Sequence, residues 1–247
     1  MKRCRISLLA LALTVSLAGC RAATPRPVAA PPPPAGEITP DVHWAATSAE
    51  YRAILVQTYR WAERRLEELV DDRAPGTWAV TLDGDETVIS NVPYEKELRR
   101  AGGDYQTASF NAWTERRAAT LLPGAAGFLD RVRQLGGRIA IVTNRDESTC
   151  PDTEANLKAL SVPFDVVLCR TDESEKEPRW ERIGNGTAAP DLPPAEIVMW
   201  VGDNIKDFPG LDQDLRHFSE EAYSRFGVDF IIIPNPMYGS WEDNPGD

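Results

Sequence analysis

Trp78-Ala79-Val80-Thr81-Leu82-Asp83-Gly84-Asp85-Glu86-Thr87 joins an apolar run to two acids set two positions apart. Such a run reads as a buried parallel strand that delivers both carboxylates to its C-terminal edge, because strands covered on both faces are apolar throughout. In an open α/β sheet that edge is where ligands bind. One carboxylate there can attack an electrophilic phosphorus while the other, on the loop just beyond, protonates the leaving oxygen and then activates water. Two acids so close repel each other unless a cation lies between them, so the pattern implies a divalent metal. Taken alone, the same letters also fit an Asp-rich turn capping a helix.

Three further stretches follow in the order such chemistry needs them. Arg138-Ile139-Ala140-Ile141-Val142 is a second strand pattern and ends in Thr143-Asn144-Arg145, where a hydroxyl and adjacent amides can hold phosphate oxygens. Lys176, in Ser174-Glu175-Lys176-Glu177-Pro178-Arg179, is a cation able to neutralise a transferring phosphoryl group. Ile197-Val198-Met199-Trp200-Val201 is a third strand and opens into Gly202-Asp203-Asn204-Ile205-Lys206-Asp207-Phe208. Asp203 and Asp207, spaced as one helical turn, can supply the remaining carboxylates of a hard cation. Each stretch alone has an ordinary structural reading as a cap, a solvated lysine or a turn, but their order at three strand ends favours a site.

With these four motifs the chain resembles the haloacid dehalogenase superfamily, and more closely the class C bacterial acid phosphatases, lipoproteins acting as 5'-nucleotidases and non-specific phosphomonoesterases. The closer likeness rests on the extension Val88-Ile89-Ser90-Asn91-Val92-Pro93-Tyr94, on Val142-Thr143-Asn144-Arg145, and on Gly202-Asp203-Asn204 with Asp207-Phe208. It also rests on the closing Pro234-Asn235-Pro236-Met237-Tyr238-Gly239-Ser240-Trp241-Glu242, so it runs through residues 44–242.

The resemblance implies an α/β Rossmannoid parallel sheet flanked by helices, with a smaller helical subdomain contributed by residues 44–70 and 94–122 of a phosphatase domain at 44–247. It implies Asp83 as nucleophile and metal ligand, and Asp85 as acid/base that binds Mg2+ through its main-chain carbonyl. Thr143, Asn144 and Lys176 would hold the phosphoryl group, and Asp203 with Asp207 would complete the metal site. Two residues depart from the family pattern: Gly84 stands where a bulky aliphatic is usual, and Ser90 where an acid is frequent. A glycine gives the loop aiming Asp83 and Asp85 extra backbone freedom. A sugar phosphatase or phosphotransferase is the alternative among enzymes; a non-catalytic surface lipoprotein is the alternative outside them, and intact Asp83 and Asp85 speak against it.

The ends of the chain carry a second message. Lys2, Arg3 and Arg5 precede an apolar stretch over 6–17 and the lipobox Leu17-Ala18-Gly19-Cys20. That pattern is a signal peptide over 1–19, too short for a comfortable membrane span, with Cys20 as the acylated residue. Residues 20–43 form an Ala/Pro-rich tether, Pro31 to Pro34 being consecutive, because this composition favours extended conformers and buries no core. The expected protein is an exported lipoprotein on a membrane, with Arg21 after the anchor pointing to the outer membrane, facing the periplasm or the cell surface. A formal net charge of −11 argues against gripping nucleic-acid polymers, while one nucleotide at a metal site stays compatible.

A helix is expected from Ser48, with Thr47 and Glu50 as a capping box and Tyr51, Leu55, Ala62, Leu66 and Leu69 at helical spacing. The segment 94–120 lacks strand pattern. A further helix closes at Leu157–Leu160, and strands are expected at 164–168 and 230–233. Tyr94, Trp113 and Tyr238 are the candidates for stacking on the organic part of a substrate such as a nucleobase, although each also suits packing between subdomains. Neither His43 nor His217 has a catalytic partner pattern. Cys150 and Cys169 would lie at one sheet edge if the strands before them are parallel neighbours; an exported chain permits a bridge there, and two buried thiols are the other reading.

Overall fold

The computed structural model describes residues 36–246. The leader, Cys20 and the tether as far as residue 35 lie outside the described residues. Two helices come first, α1 at Pro40–Thr47 and α2 at Ala49–Val70. Ser48, in extended conformation, caps α2 by accepting from Tyr51 N at 3.1 Å. The capping pair is therefore one residue later than Thr47 and Glu50; Thr47 belongs to α1, and its hydroxyl donates back to His43 O at 2.8 Å. Helix α1 also begins inside the stretch read as tether, because Pro40 at a first helical position starts a helix as readily as it extends a linker.

The chain then alternates strands and helices. Strand β1 is Trp78–Leu82, β2 is Ile89–Ser90, α3 is Val92–Arg100, α4 is Thr107–Glu115 and β3 is Thr120–Leu121. Helix α5 at Ala125–Gln134, β4 at Arg138–Asp146, α6 at Cys150–Ala159 and β5 at Val166–Arg170 follow. Helix α7 at Glu177–Gly184, β6 at Glu196–Gly202 and β7 at Phe230–Ile232 complete the set.

The main sheet has the order β5-β4-β1-β6-β7, with parallel pairing throughout. After β1 the chain builds outward through β4 and β5, then returns to the other side of β1 for β6 and β7. The order thus reverses at β1, which places the end of β1 at the crevice where such sheets bind ligands. Every residue of β1 is buried. Val80 and Leu82 face a core shared with Tyr59, Leu66, Phe128 and Leu129 of α2 and α5, whereas Ala79 faces Trp180 and Ile183 of α7. That two-sided burial is why the strand carries no polar alternation.

The segment 94–120 is helical, as α3 and α4 show, but it is closed by an antiparallel ladder, Ile89 opposite Leu121 and Ser90 opposite Thr120. Strands of two residues are too short for any periodicity to betray them. The ladder, with Leu122 N donating to Val88 O at 3.0 Å, fastens the helical insertion to the loop that follows β1.

Candidate active site

Asp83 emerges where β1 ends, and its amide still donates to Val201 O at 2.9 Å, so the β1–β6 ladder fixes the first acid. The Gly84 carbonyl accepts from Val88 N at 3.0 Å and Ile89 N at 2.9 Å, which closes the turn. A Cβ on Gly84 would stand 3.2 Å from Thr143 Oγ1 and 3.3 Å from Thr143 Cβ. The freedom expected of a glycine is therefore restrained here by two hydrogen bonds and a packed neighbour.

Lys176 precedes α7 and is 3% exposed. Its Nζ donates to Asp83 Oδ1 and reaches Asp207 Oδ1 at 2.7 Å. Carboxylate oxygens of Asp83, Asp203 and Asp207 lie within 4.8 Å of one another. Asp203 accepts from Thr87 Oγ1 at 3.2 Å and Asn235 Nδ2 at 2.8 Å. Asp207 reaches the cluster from a short 3-10 turn, Ile205–Asp207, rather than an α-helical one, and its Oδ2 accepts from Asn204 N at 2.8 Å. Gly202 makes this possible, because a Cβ there would collide with the Asp207 side chain.

Burial is the main cause that pushes Asp83 up to about 7; Lys176 opposes it, and Asp207 and Asp85 add to it. Asp203 is raised well above the carboxylate range by burial, then by Asp207 and Asp83. Burial would lower Lys176, but Asp207 and Asp83 outweigh it and hold the ammonium form. Three clustered carboxylates, two of them in contact with one lysine, leave anionic charge to spare, and an all-oxygen donor set of this kind fits a hard divalent cation.

The second acid is held apart from this cluster. Asp85 accepts from Arg145 Nε at 2.9 Å and Asn91 Nδ2 at 2.7 Å, and Arg145, 1% exposed in its side chain, also donates to Asn91 Oδ1 at 3.0 Å. Arg179 braces the neighbouring loops by donating to Thr143 O, Asn144 Oδ1 and Ser174 O. Glu86, fully buried and with φ of 47°, accepts from Asn91 N at 2.6 Å and from the hydroxyl of Tyr238. Sequence reading passed over Arg145, Arg179, Asn91 and Glu86. Arg145, in the Thr143-Asn144-Arg145 stretch near the end of β4, is the one with a visible signal.

A cleft of about 500 Å³ opens over these groups, lined by Asp83, Asp85, Asn144, Arg145, Lys176, Asp203 and Asp207. Three expected residues sit elsewhere. Thr143 is fully buried and does not line the cleft; its Oγ1 accepts from Arg145 N at 3.2 Å, so Asn144 and Arg145 form that wall instead. Tyr94 shares a hydrogen bond with Ser109 Oγ at 2.8 Å, and Trp113 donates to Asn91 Oδ1 at 2.8 Å. Both rings are packed inside the helical insertion, where a large ring with one satisfied polar atom belongs. The cleft aromatics are Tyr105, Phe110 and Tyr238. Beside the cleft, Cys150 and Cys169 are joined as a disulfide, their Cα atoms 5.9 Å apart.

The family model for the HAD superfamily, subfamily IIIB (acid phosphatase), matches residues 11–241. The class C acid phosphatase of Bacillus anthracis superposes with a TM-score of 0.73 at 29% identity, covering 82% of this chain and 85% of that one. Its tungstate-bound form gives 0.72 at the same identity and coverage. Acid phosphatase 1 of Solanum lycopersicum is 26% identical over 64% of this chain, which spans only 57% of that protein's length. The stem 28 kDa glycoprotein of Glycine max is 24% identical over 80% of this chain and 71% of its own. A parallel sheet that ends β1 in Asp83 and Asp85, with Lys176 and two further aspartates around the first, agrees with these matches: the chain belongs to the class C acid phosphatases of the HAD superfamily, subfamily IIIB.

Proposed function

We propose that the chain is a magnesium-dependent, lipid-anchored phosphatase of 5'-nucleotides and aryl phosphates working through a phosphoryl-Asp83 intermediate. The observation that carries this reading is the Asp83 carboxylate, in contact with Lys176 and clustered with Asp203 and Asp207. Asp83 attacks phosphorus, forming the acyl phosphate as the bond to the leaving oxygen breaks, and Asp85 gives that oxygen its proton. Asp85 then takes a proton from water, which attacks the phosphoryl group and frees Asp83. Arg145 and Asn91 hold the Asp85 carboxyl in one orientation for both steps. Lys176 and Asn144, which line the cleft, would bind the phosphoryl oxygens. Asp83, Asp203 and Asp207, with the Asp85 carbonyl, would hold Mg2+, which when bound supplies positive charge against the phosphate dianion.

The Bacillus relative has been solved with tungstate, a tetrahedral oxyanion, which supports an oxyanion pocket in the shared fold. Tyr105, Phe110 and Tyr238 offer faces on which a base or aryl ring could stack. Export and anchoring through Cys20 rest on the leader and lipobox; among the described residues no helix is long and apolar enough to cross a membrane. A panel of nucleoside monophosphates and aryl phosphates, assayed after chelation and again with magnesium restored, tests the catalytic reading. Restoration by magnesium supports it, and undiminished turnover after exhaustive chelation contradicts it. Mass spectrometry of the mature N-terminus tests the anchor: an unacylated residue other than Cys20 contradicts it.

A further inference from the structure

Away from its phosphate end, the cleft is walled by α3 and the segment after it. Glu95 and Arg99 stand one turn apart on α3 and both line the cleft. The Glu95 side chain is 5% exposed and meets Arg99 Nη2 at 3.4 Å without forming a hydrogen bond. Among the described residues no donor reaches Glu95 Oε2, and Arg99 Nε is likewise buried without an acceptor. A buried carboxylate normally collects donors, because it has given up its hydration. Glu86 shows the usual outcome, accepting from Asn91 and Tyr238. Burial, with smaller contributions from Asp41 and Glu242 and against Arg99, pushes the Glu95 carboxyl up to about 7. Asp104 and Glu242 also line the cleft, as do the cations Arg99 and Lys206, and Tyr105 and Phe110 supply apolar surface.

We infer that Glu95 is a specificity-determining residue that accepts a hydrogen bond from an amino or ammonium group on the leaving-group end of the substrate, carried on a flat apolar body. The inference rests on the phosphomonoesterase reading and adds the chemistry of the leaving group. Above about pH 7, where Glu95 is ionised, an incoming N–H fills the acceptor that no protein donor fills and its charge is opposite to that of Glu95, Asp104 and Glu242, while the flat body lies along Tyr105 and Phe110. An anionic tail would be repelled by the same three acids.

Two aryl phosphates of matched size test it: the phenolic phosphate ester of tyramine, which carries an ammonium, and para-propylphenyl phosphate, which does not. Wild type should show a KM about tenfold lower for the tyramine ester, the size expected of one charge-assisted hydrogen bond. Glu95→Gln should raise that KM to the value for the propyl ester and leave kcat for both esters unchanged. Arg99→Gln should widen the preference, and it decides the matter if Glu95→Gln fails to fold. Equal KM values in wild type, or a Glu95→Gln effect that falls alike on both esters, overturns the inference. If wild type hydrolyses neither ester, the phosphatase reading fails separately. Calorimetric titration of the two esters into wild type and Glu95→Gln then applies the same criterion: a preference present only in wild type sustains the inference, and equal binding overturns it.

Discussion

Lys176 keeps its charge in a site nearly closed to water because Asp83 and Asp207 both touch its ammonium. Removing that ammonium leaves two buried carboxylates without their shared partner and takes away a cation placed where phosphoryl charge develops. Lys176→Met should therefore lower kcat by at least about a hundredfold while the circular dichroism spectrum stays native; a variant with near wild-type kcat would show that Lys176 only balances charge in the free enzyme. Asp83, Asp85 and Asp203 were legible because each ends or follows an apolar run; Lys176 lies in a charged stretch with few landmarks, and only its place between the second and third strand motifs marked it. Thr143 is buried instead of lining the cleft, because a hydroxyl at a strand end can turn toward the cleft or into the sheet. Here it is packed against Gly84 and bonded to the Arg145 amide.

At the scale of elements, two joints set the site. The first is the end of β6, where Gly202 lets Asp207 fold back to cap Asn204 and offer its other oxygen to Lys176. Gly202→Ala should displace Asp207 and weaken magnesium activation, read as a rise in the metal concentration for half-maximal rate of about tenfold or more. An unchanged requirement would mean that Asp207 does not hold the ion. The second joint is the Cys150–Cys169 disulfide, which ties the start of α6 to β5 and closes a loop of sequence separation 19 beside the Asn144–Arg145 wall. Replacing both cysteines by alanine should cost about 3 kcal/mol, visible as a fall in Tm. Identical melting in oxidised and reduced wild type would show that the bridge contributes nothing. The five main strands were legible from continuous apolar runs, and α2 from its helical spacing. Helix α1 and the β2–β3 ladder were not, since a proline start inside a Pro-rich stretch and two-residue strands give no distinctive period.

Over the whole molecule, the reversal of strand order at β1 gathers residues from four separate stretches of chain, around 83, 144, 176 and 203, into one crevice. The helical insertion adds the wall that carries Glu95, Tyr105 and Phe110. Of the cleft aromatics, Tyr238 was legible in the sequence, whereas Tyr105 and Phe110 were not; Tyr94, Trp113 and Phe110 all lie on insertion helices, and tertiary packing alone decides which ring faces inward. Tyr94 and Trp113 hold the insertion together, and Phe110 reaches the cleft.

The central claim is that the phosphoryl group passes through Asp83. It is tested most directly by acid-quenching wild type during turnover of an aryl phosphate with magnesium and mapping peptides by mass spectrometry. A phosphoryl adduct should appear on the peptide containing Asp83, and Asp83→Asn should lose both the adduct and the activity with its fold intact. Near wild-type turnover by Asp83→Asn, or an adduct on a different residue, would contradict the account.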